Sequence, residues 1–395
     1  MTSGPLHSPN ASPTLGRVSD RLSTRVVVGM SGGVDSSTAA ILLRNEGYAV
    51  VGVTLKLWSP EAMPGAQERF SRRSDAATAE DARAVCDRLG IPFHVVDGAD
   101  AFRQRIIQYF ADEYRAGRTP NPCAMCNARI KFDLLLSCAR RLGAHQIAFG
   151  HYARVERNEA SGRWLLRRGR DSRRDQSYFL FSLNQEQLAH ALLPLGDLLK
   201  SQTREIARAH QVAAVEKAES MEICFVPDND YGRFLREARL VAPHPGDIVD
   251  LHGRVLGRHE GIEFYTIGQR RGLRIAASAP LYVVDLDAAG NRVVVGDSTS
   301  LEQSEFMIER CNWIPFEAPP AQLDVMAKIR YNHPGTTATV VAHANGTARV
   351  RLDIPQRAIT PGQACVFYQD DLVIGGGWIA RAGSPSPDRG SGTRA

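Results

Sequence analysis

The sequence predicts an α/β protein with a β-rich C-terminal half. A doubly wound parallel-sheet domain is followed by a small central β-rich linking domain and a C-terminal β-barrel. Three observations carry this. Up to about residue 212, short β-branched runs alternate with helical stretches, the pattern of parallel strands joined by crossover helices. Beyond it, apart from one helix, the chain holds only short strand-like runs between Gly, Asn and Pro turns. A chain of 395 residues also exceeds one ordinary domain. The expected divisions are a disordered tail over 1–20, a catalytic domain over 21–212, a linking domain over 213–281, a barrel over 282–380 and a second tail over 381–395.

RVVVGM at 25–30 is a short β-branched run that suits a buried parallel strand. SGGVDSS follows, and TAAILLRNEGY reads as a helix ended by Gly47. AVVGVTLKLW at 49–58 is a second strand, and the polar stretch from Ser59 to Ser74 reads as an insertion or mobile loop. A helix over 75–89 closes at Gly90, and IPFHVVD at 91–97 is the next strand. Helices near 100–116 and 127–142 precede the strand HQIAFG at 145–150. In the second half YGRFLREARL suggests one more helix. The strand-like runs GDIVDL, RVLG, LYVVDLD, RVVVGD, ARVRLD, CVFYQ and LVIGGGWIA then read as all-β structure.

Composition narrows the class. Hydrophobic residues at 43% and charged residues at 23% are ordinary globular values. No apolar run approaches the roughly 20 residues of a membrane helix, so no membrane span is expected. The Ser/Pro/Asn-rich start has no apolar h-region, which argues against a secretory signal; its few Arg and scarce acids suit either a disordered tail or an organelle transit peptide, and the expected location is cytoplasmic. A net charge of +5 permits a polyanionic partner. Between Arg154 and Arg174 stand eight arginines against three acids, with Trp164 and Tyr178 close by. That is either a solvated hairpin face or a nucleic-acid contact.

The strongest local signal is the strand–GMSGGVDSS–helix junction. Gly32 and Gly33 allow positive φ and close backbone approach, so N–H groups, the Ser31 and Ser36 hydroxyls and the helix dipole can converge on an anion. The lysine of a Walker A loop is missing, and the spacing is not GxGxxG. A site that holds phosphates without that lysine suits pyrophosphate as a leaving group, with Asp35 sharing a Mg²⁺ with the phosphates. The loop Ser31-Gly32-Gly33-Val34-Asp35-Ser36 resembles the SGGxDS signature of the pyrophosphatase-loop (PP-loop) ATPases, which activate a carbonyl-type oxygen with AMP.

Cysteine spacing supplies the second signal. Seven cysteines in so long a chain do not make a disulfide framework. Cys123-Ala-Met-Cys126 lies in RTPNPCAMCNARIKF, where Pro120 and Pro122 are expected to hold off a helix until about Asn127. That places Cys126 near a helix N-terminus, where the dipole favours a thiolate. A zinc site would need a matching CxxC or HxxxH, and none is present, so a thiol-redox or sulfur-transfer site is favoured. Cys224 lies in MEICFVP. Cys86, Cys138, Cys311 and Cys365 sit in helix or strand patterns and read as core.

Taken together, the loop, TPNPCAMCN, FGHYAR, RDQSYFL, EICF, IGQRRGL, the Arg330-Tyr331 pair and TPGQACVFY resemble the bacterial tRNA-specific 2-thiouridylase (MnmA-type) family. The resemblance covers roughly residues 25–380, with the motifs in family order. It implies 2-thiolation of uridine 34 in the tRNAs for Lys, Glu and Gln, with ATP and Mg²⁺ as cofactors and a cysteine desulfurase or relay protein as sulfur donor. By motif position Gly29, Met30, Ser31, Gly32, Gly33, Val34, Asp35, Ser36, Leu55 and Gly150 would bind ATP. Asn121, Pro122 and Cys123 would meet the target base. His151, Arg174, Asp175, Gln176, Arg330, Tyr331 and Gln363 would contact tRNA. Cys126 corresponds to the nucleophile and Cys224 to the persulfide carrier, the two closing into a transient disulfide.

Two departures stand out: many members have Asp where Cys123 stands, and Leu55 replaces a frequent Met. Three cysteines also raise a competing chemistry, a [4Fe–4S] cluster held by Cys123, Cys126 and Cys224 with its fourth iron open to sulfide. Two other readings stand beside this one. One is an AMP-forming ligase such as a GMP-synthetase-like amidotransferase, for which no glutaminase-like domain fits in the β-rich half. The other is a non-catalytic tRNA- or nucleotide-binding protein, against which Asp35, Cys126 and Cys224 argue.

Overall fold

A computed structural model describes residues 24–58, 75–216, 223–226 and 228–381. The expected tail over 1–20, the expected loop at 59–74 and the second tail beyond Arg381 lie outside the described residues. β1 (Arg25–Gly29) runs into a turn at 30–33 and then α1 (Val34–Asn45). The helix therefore starts four residues earlier than TAAILLRNEGY suggests. β2 (Ala49–Lys56), α2 (Asp75–Leu89) and β3 (Phe93–Asp97) follow. α3 covers 99–115 and includes a π turn at Arg103–Ile107. α4 covers 122–141 and includes a π turn at Asn127–Lys131. After β4 (Gln146–Ala148) comes a hairpin of β5 (Ala153–Arg157) and β6 (Trp164–Arg168), then α5 (Gln185–Ala189), β7 (Ala191–Leu192) and α6 (Lys200–Ala209).

The first sheet has the order β3-β2-β1-β4-β7, and every pairing in it is parallel. β1 is central, which explains its β-branched run: Val26, Val27 and Val28 have no exposed surface. Successive side chains alternate between faces. Val27 packs with Phe110 of α3 and Leu135 of α4, whereas Val26 and Val28 pack with Ile41 of α1, Val85 of α2 and Ala207 of α6. Each such buried side chain is worth about 1.5–3 kcal/mol relative to an exposed one.

The second half begins with α7 (Tyr231–Glu237). β8 (Gly246–Asp250), β9 (Val255–His259), β10 (Tyr282–Asp287) and β11 (Arg292–Gly296) form a four-stranded sheet of order β10-β11-β8-β9. The expected break between 281 and 282 therefore falls inside this sheet. LYVVDLD and RVVVGD look like barrel strands locally, but β11 pairs in parallel with β8, a long-range choice that local pattern does not contain. The barrel is built from β12 (Glu302–Trp313), β13 (Gln322–Lys328), β14 (Thr336–Ala342), β15 (Ala348–Arg357), β16 (Ala364–Gln369) and β17 (Leu372–Ile379). Pairing of β12 with both β15 and β17 closes the six strands.

The barrel is not a separate bead. The β5–β6 hairpin continues its sheet, with Leu372 of β17 opposite Arg167 of β6. Trp378 and Val366 of the barrel join the same core cluster as α3 and α4. Arg381, expected to begin a tail, is tied to Asp285 at 3.1 Å.

Candidate active site

The glycine loop lies at the C-terminal end of β1, where open α/β sheets place their ligands. Gly32 has φ +64°, and a Cβ there would come within 2.5 Å of Asp81, so the turn demands glycine. The turn is tied from within. The Ser31 amide donates to Ser36 Oγ at 3.1 Å, and the Ser37 hydroxyl donates to the Gly33 carbonyl at 2.8 Å. Met30 is fixed to β2 by its amide on the Val53 carbonyl (2.8 Å) and by the Thr54 hydroxyl on its own carbonyl (2.9 Å). Leu55 is the next residue of β2. Gly150 lies on the loop itself, since a Cβ there would stand 2.6 Å from the Asp35 carbonyl carbon. Residues 29–36 and Gly150 are thus neighbours, and Leu55 follows Thr54 along β2.

A residue that sequence reasoning passed over joins them. Lys200, first residue of α6, reaches 165 residues back along the chain to Asp35, with Nζ 2.6 Å from Oδ1. Its side chain is 8% exposed and that of Asp35 36%. The Tyr152 hydroxyl lies 3.0 Å from the same carboxylate oxygen and 2.9 Å from the Thr203 hydroxyl. Among five lysines in the chain, the only sequence signal for Lys200 was its scarcity.

The thiol segment departs from expectation. Its helix begins at Pro122, with Asn121 as N-cap accepting from the Ala124 amide at 3.2 Å. Proline is favoured at the first helical position, where its missing N–H is not needed. Cys126 therefore sits at the end of the first helical stretch, buried, and the dipole argument for its thiolate fails. Burial pushes its thiol up to about 12, against the nearby Lys131 charge. Cys123 is pushed up to about 11, by burial first and Cys224 second.

The π turn closes on Lys131, and in such a turn residue i+5 follows residue i on one face. Lys131 is thereby set one turn beyond Cys126. Burial works to lower its ammonium, but Cys126, Cys224 and Cys123 together hold it above the ordinary value. Cys224 is exposed, on a segment anchored by the buried Phe225, whose ring meets Phe110 at 5.1 Å and Phe102 at 5.8 Å. The structure thus brings the three thiols into electrostatic reach of one another. Among the described residues, however, no three His, Cys, Asp or Glu side chains form a group that could hold a metal ion. A cluster on Cys123, Cys126 and Cys224 gains no geometric support. Cys86, Cys138 and Cys365 are buried, in keeping with a core role, and Cys311 is half-buried.

Three domain families match in succession. The "tRNA methyl transferase HUP domain" covers residues 24–228, the "tRNA methyl transferase PRC-barrel domain" 233–297 and the "Aminomethyltransferase beta-barrel domain" 303–379. The second of these holds all four strands of the central sheet. The chain is 50% identical over 353 residues to the tRNA-specific 2-thiouridylase MnmA of Moorella thermoacetica, covering 89% of this chain and 98% of that protein. It is 46% identical over 358 residues to the same-named protein of Clostridium acetobutylicum, covering 91% of this chain and all of that protein. The chain belongs to the tRNA-specific 2-thiouridylase (MnmA) family.

Several residues that the family resemblance assigns to tRNA are engaged inside this 2-thiouridylase-family chain. Gln363 donates to the carbonyls of Thr119 (3.2 Å) and Pro120 (3.0 Å), holding the approach to the thiol helix. Asp175 is buried and accepts from the Gly169 amide (3.1 Å), the Ser177 amide (3.0 Å) and the Ser177 hydroxyl (3.0 Å). Gln176 accepts from the Tyr152 amide at 3.0 Å. Tyr331 lies with its ring 4.5 Å from that of Phe179, Arg174 is half-buried and Arg330 is exposed. The His151 ring lies 6.2 Å from Phe132, and its Nδ1 has no hydrogen-bond partner among the described residues. Burial, then the Lys131 charge, lower its pKa to about 3, so the imidazole is neutral. Tyr178, read as a neighbour of a basic patch, is wholly buried, its hydroxyl donating to the Ala364 carbonyl at 2.8 Å.

Proposed function

We propose that this chain is a tRNA-uridine 2-sulfurtransferase that uses ATP to replace O2 of uridine 34 by sulfur in the tRNAs for Lys, Glu and Gln. The observation that carries the reading is the short segment 149–151. Gly150 rests on the backbone of Asp35 and Ser36. Phe149 and His151 both face Phe132, the residue after Lys131, at 4.6 and 6.2 Å. The phosphate loop and the thiol helix therefore share one wall, as a reaction needs when it activates a base with ATP and then delivers sulfur to it.

C2 of uracil is a poor electrophile because its oxygen leaves badly. Attack of O2 on the α-phosphorus, with loss of pyrophosphate, turns that oxygen into part of an AMP leaving group. The glycine turn and the N-terminus of α1 would stabilise charge on the departing pyrophosphate. Asp35, at the start of α1 beside the loop, is the carboxylate that would hold the Mg²⁺ accompanying ATP, which would supply further charge neutralisation. The outer sulfur of a Cys224 persulfide then attacks C2 and AMP leaves. Cys126 attacks the inner sulfur, forming the Cys126–Cys224 disulfide and releasing 2-thiouridine. A thiol reductant returns two electrons to the disulfide, and a cysteine desulfurase or relay protein reloads Cys224, whose exposure suits the transfer. Extrusion of the target base costs least from a single-stranded anticodon loop.

The test is incubation of the full chain with ATP, Mg²⁺, unmodified tRNA and a persulfide donor, with nucleosides read by mass spectrometry. The expected products are 2-thiouridine, AMP and pyrophosphate. Cys126→Ser and Cys224→Ser should each abolish the thionucleoside yet retain tRNA-dependent AMP release. Substantial thiolation by either variant would remove the two-cysteine scheme, and absence of both products from the wild type would overturn the assignment.

A further inference from the structure

We propose that Lys200 is the phosphate-binding cation of this site, held by Asp35 when the loop is empty and passed to the pyrophosphate oxygens when ATP binds. The inference rests on reading the loop as an ATP site and adds a residue to it. Residues 29–38 carry one charge, the carboxylate of Asp35, which by itself repels a triphosphate. Amide donors and a helix dipole offset part of that repulsion, but a buried polyanion calls for a cation as well.

Among the described residues, a lysine reaches the loop from elsewhere in the sequence, and its placement is built. The Lys200 amide donates to Asp171 Oδ2 at 3.0 Å, which fixes the start of α6. Thr38 of α1 donates to the Thr203 carbonyl at 3.3 Å, and Tyr152 bridges Thr203 and Asp35. From that fixed base the ammonium projects to the loop and meets Asp35 at 2.6 Å. An almost fully buried ammonium resting on a partly exposed carboxylate, at the start of α1 beside the glycine turn, is arranged for exchange. Phosphate oxygens carry more charge than one carboxylate, and compete for the same ammonium from the solvent side.

The test is calorimetric titration of the full chain with pyrophosphate and, separately, with AMP. Lys200→Met should weaken pyrophosphate binding by roughly 10- to 100-fold, the worth of one charge-assisted hydrogen bond, while AMP binding is unchanged. Lys200→Arg should recover part of the pyrophosphate affinity. Unchanged pyrophosphate binding by Lys200→Met would overturn the proposal, and so would equal loss of both ligands, which marks a collapsed loop. The Asp35→Asn, Lys200→Met double variant, compared with Asp35→Asn alone and titrated without Mg²⁺ so that a metal role of Asp35 plays no part, removes the unpaired carboxylate. Continued weak pyrophosphate binding supports the proposal, whereas full recovery would mean that Lys200 only neutralises Asp35. A wild type that binds neither ATP nor pyrophosphate would sink the ATP reading and this inference with it. Failure of the variants alone sinks only the inference.

Discussion

Cys126 illustrates what burial does to a thiol. A thiol held up to about 12 stays protonated at neutral pH, and the thiolate fraction rises tenfold with each pH unit below that value. Lys131 is the group that opposes burial there. The expected consequence is that iodoacetamide at pH 8 labels the exposed Cys224 first, and that the slow labelling of Cys126 accelerates steadily up to pH 10. Peptide mass spectrometry of timed samples checks it; faster labelling of Cys126 than of Cys224 at pH 8 would contradict the burial argument. The chemistry of Cys126 was legible as C-x-x-C. Its protonation state was not, because solvent exposure and a lysine on a π turn decide it.

At the scale of elements, the thiol helix is set by its first residues. Asn121 caps it, Pro122 opens it, and Gln363 from the barrel holds the carbonyls of Thr119 and Pro120. Asn121→Ala removes the cap, and the expected cost is about 1 kcal/mol of stability, read as a lowered urea midpoint with an unchanged slope. Because the cap also orients Cys123 and Cys126, thiolation should fall further than stability does. Asn121→Asp, which keeps the accepting oxygen, should restore both. Proline read locally as a helix breaker misplaced this helix start by five residues; the same residue at the first helical position is a helix starter.

At the scale of the whole molecule, the arginine-rich stretch 154–174 is largely a docking device. Arg154 and Arg167 both pair with Asp371 at the end of the barrel hairpin, Arg167 at 2.6 Å, and Arg168 stacks 4.0 Å over the Tyr368 ring. Arg157, Arg170 and Arg173 remain exposed. Burial works to raise the Asp371 pKa, but hydrogen bonds and charges from Arg167 and Arg154 hold it below 3.8. A depressed carboxylate stabilises the fold above its unfolded pKa and loses that contribution as pH falls through the folded value. Asp371→Asn should therefore lower the unfolding midpoint at pH 7, and the gap to wild type should close as the pH is taken down below 3.8. A gap that persists undiminished in that acid range would show that the clamp does not act through charge.

Local sequence marked β1 to β4 of the parallel sheet, the glycine turn after β1 and the C-x-x-C pair. Each of these is written in neighbouring residues, as periodicity, φ preference or motif spacing. Tertiary structure alone decided that β10 and β11 complete the central sheet, that the β5–β6 hairpin extends the barrel, that Asp175 and Gln176 face inward and that Lys200 meets Asp35. Those contacts join residues far apart in the chain. They are selected by burial and by pairing of otherwise unsatisfied charges and strand edges, quantities that exist only once the chain has folded.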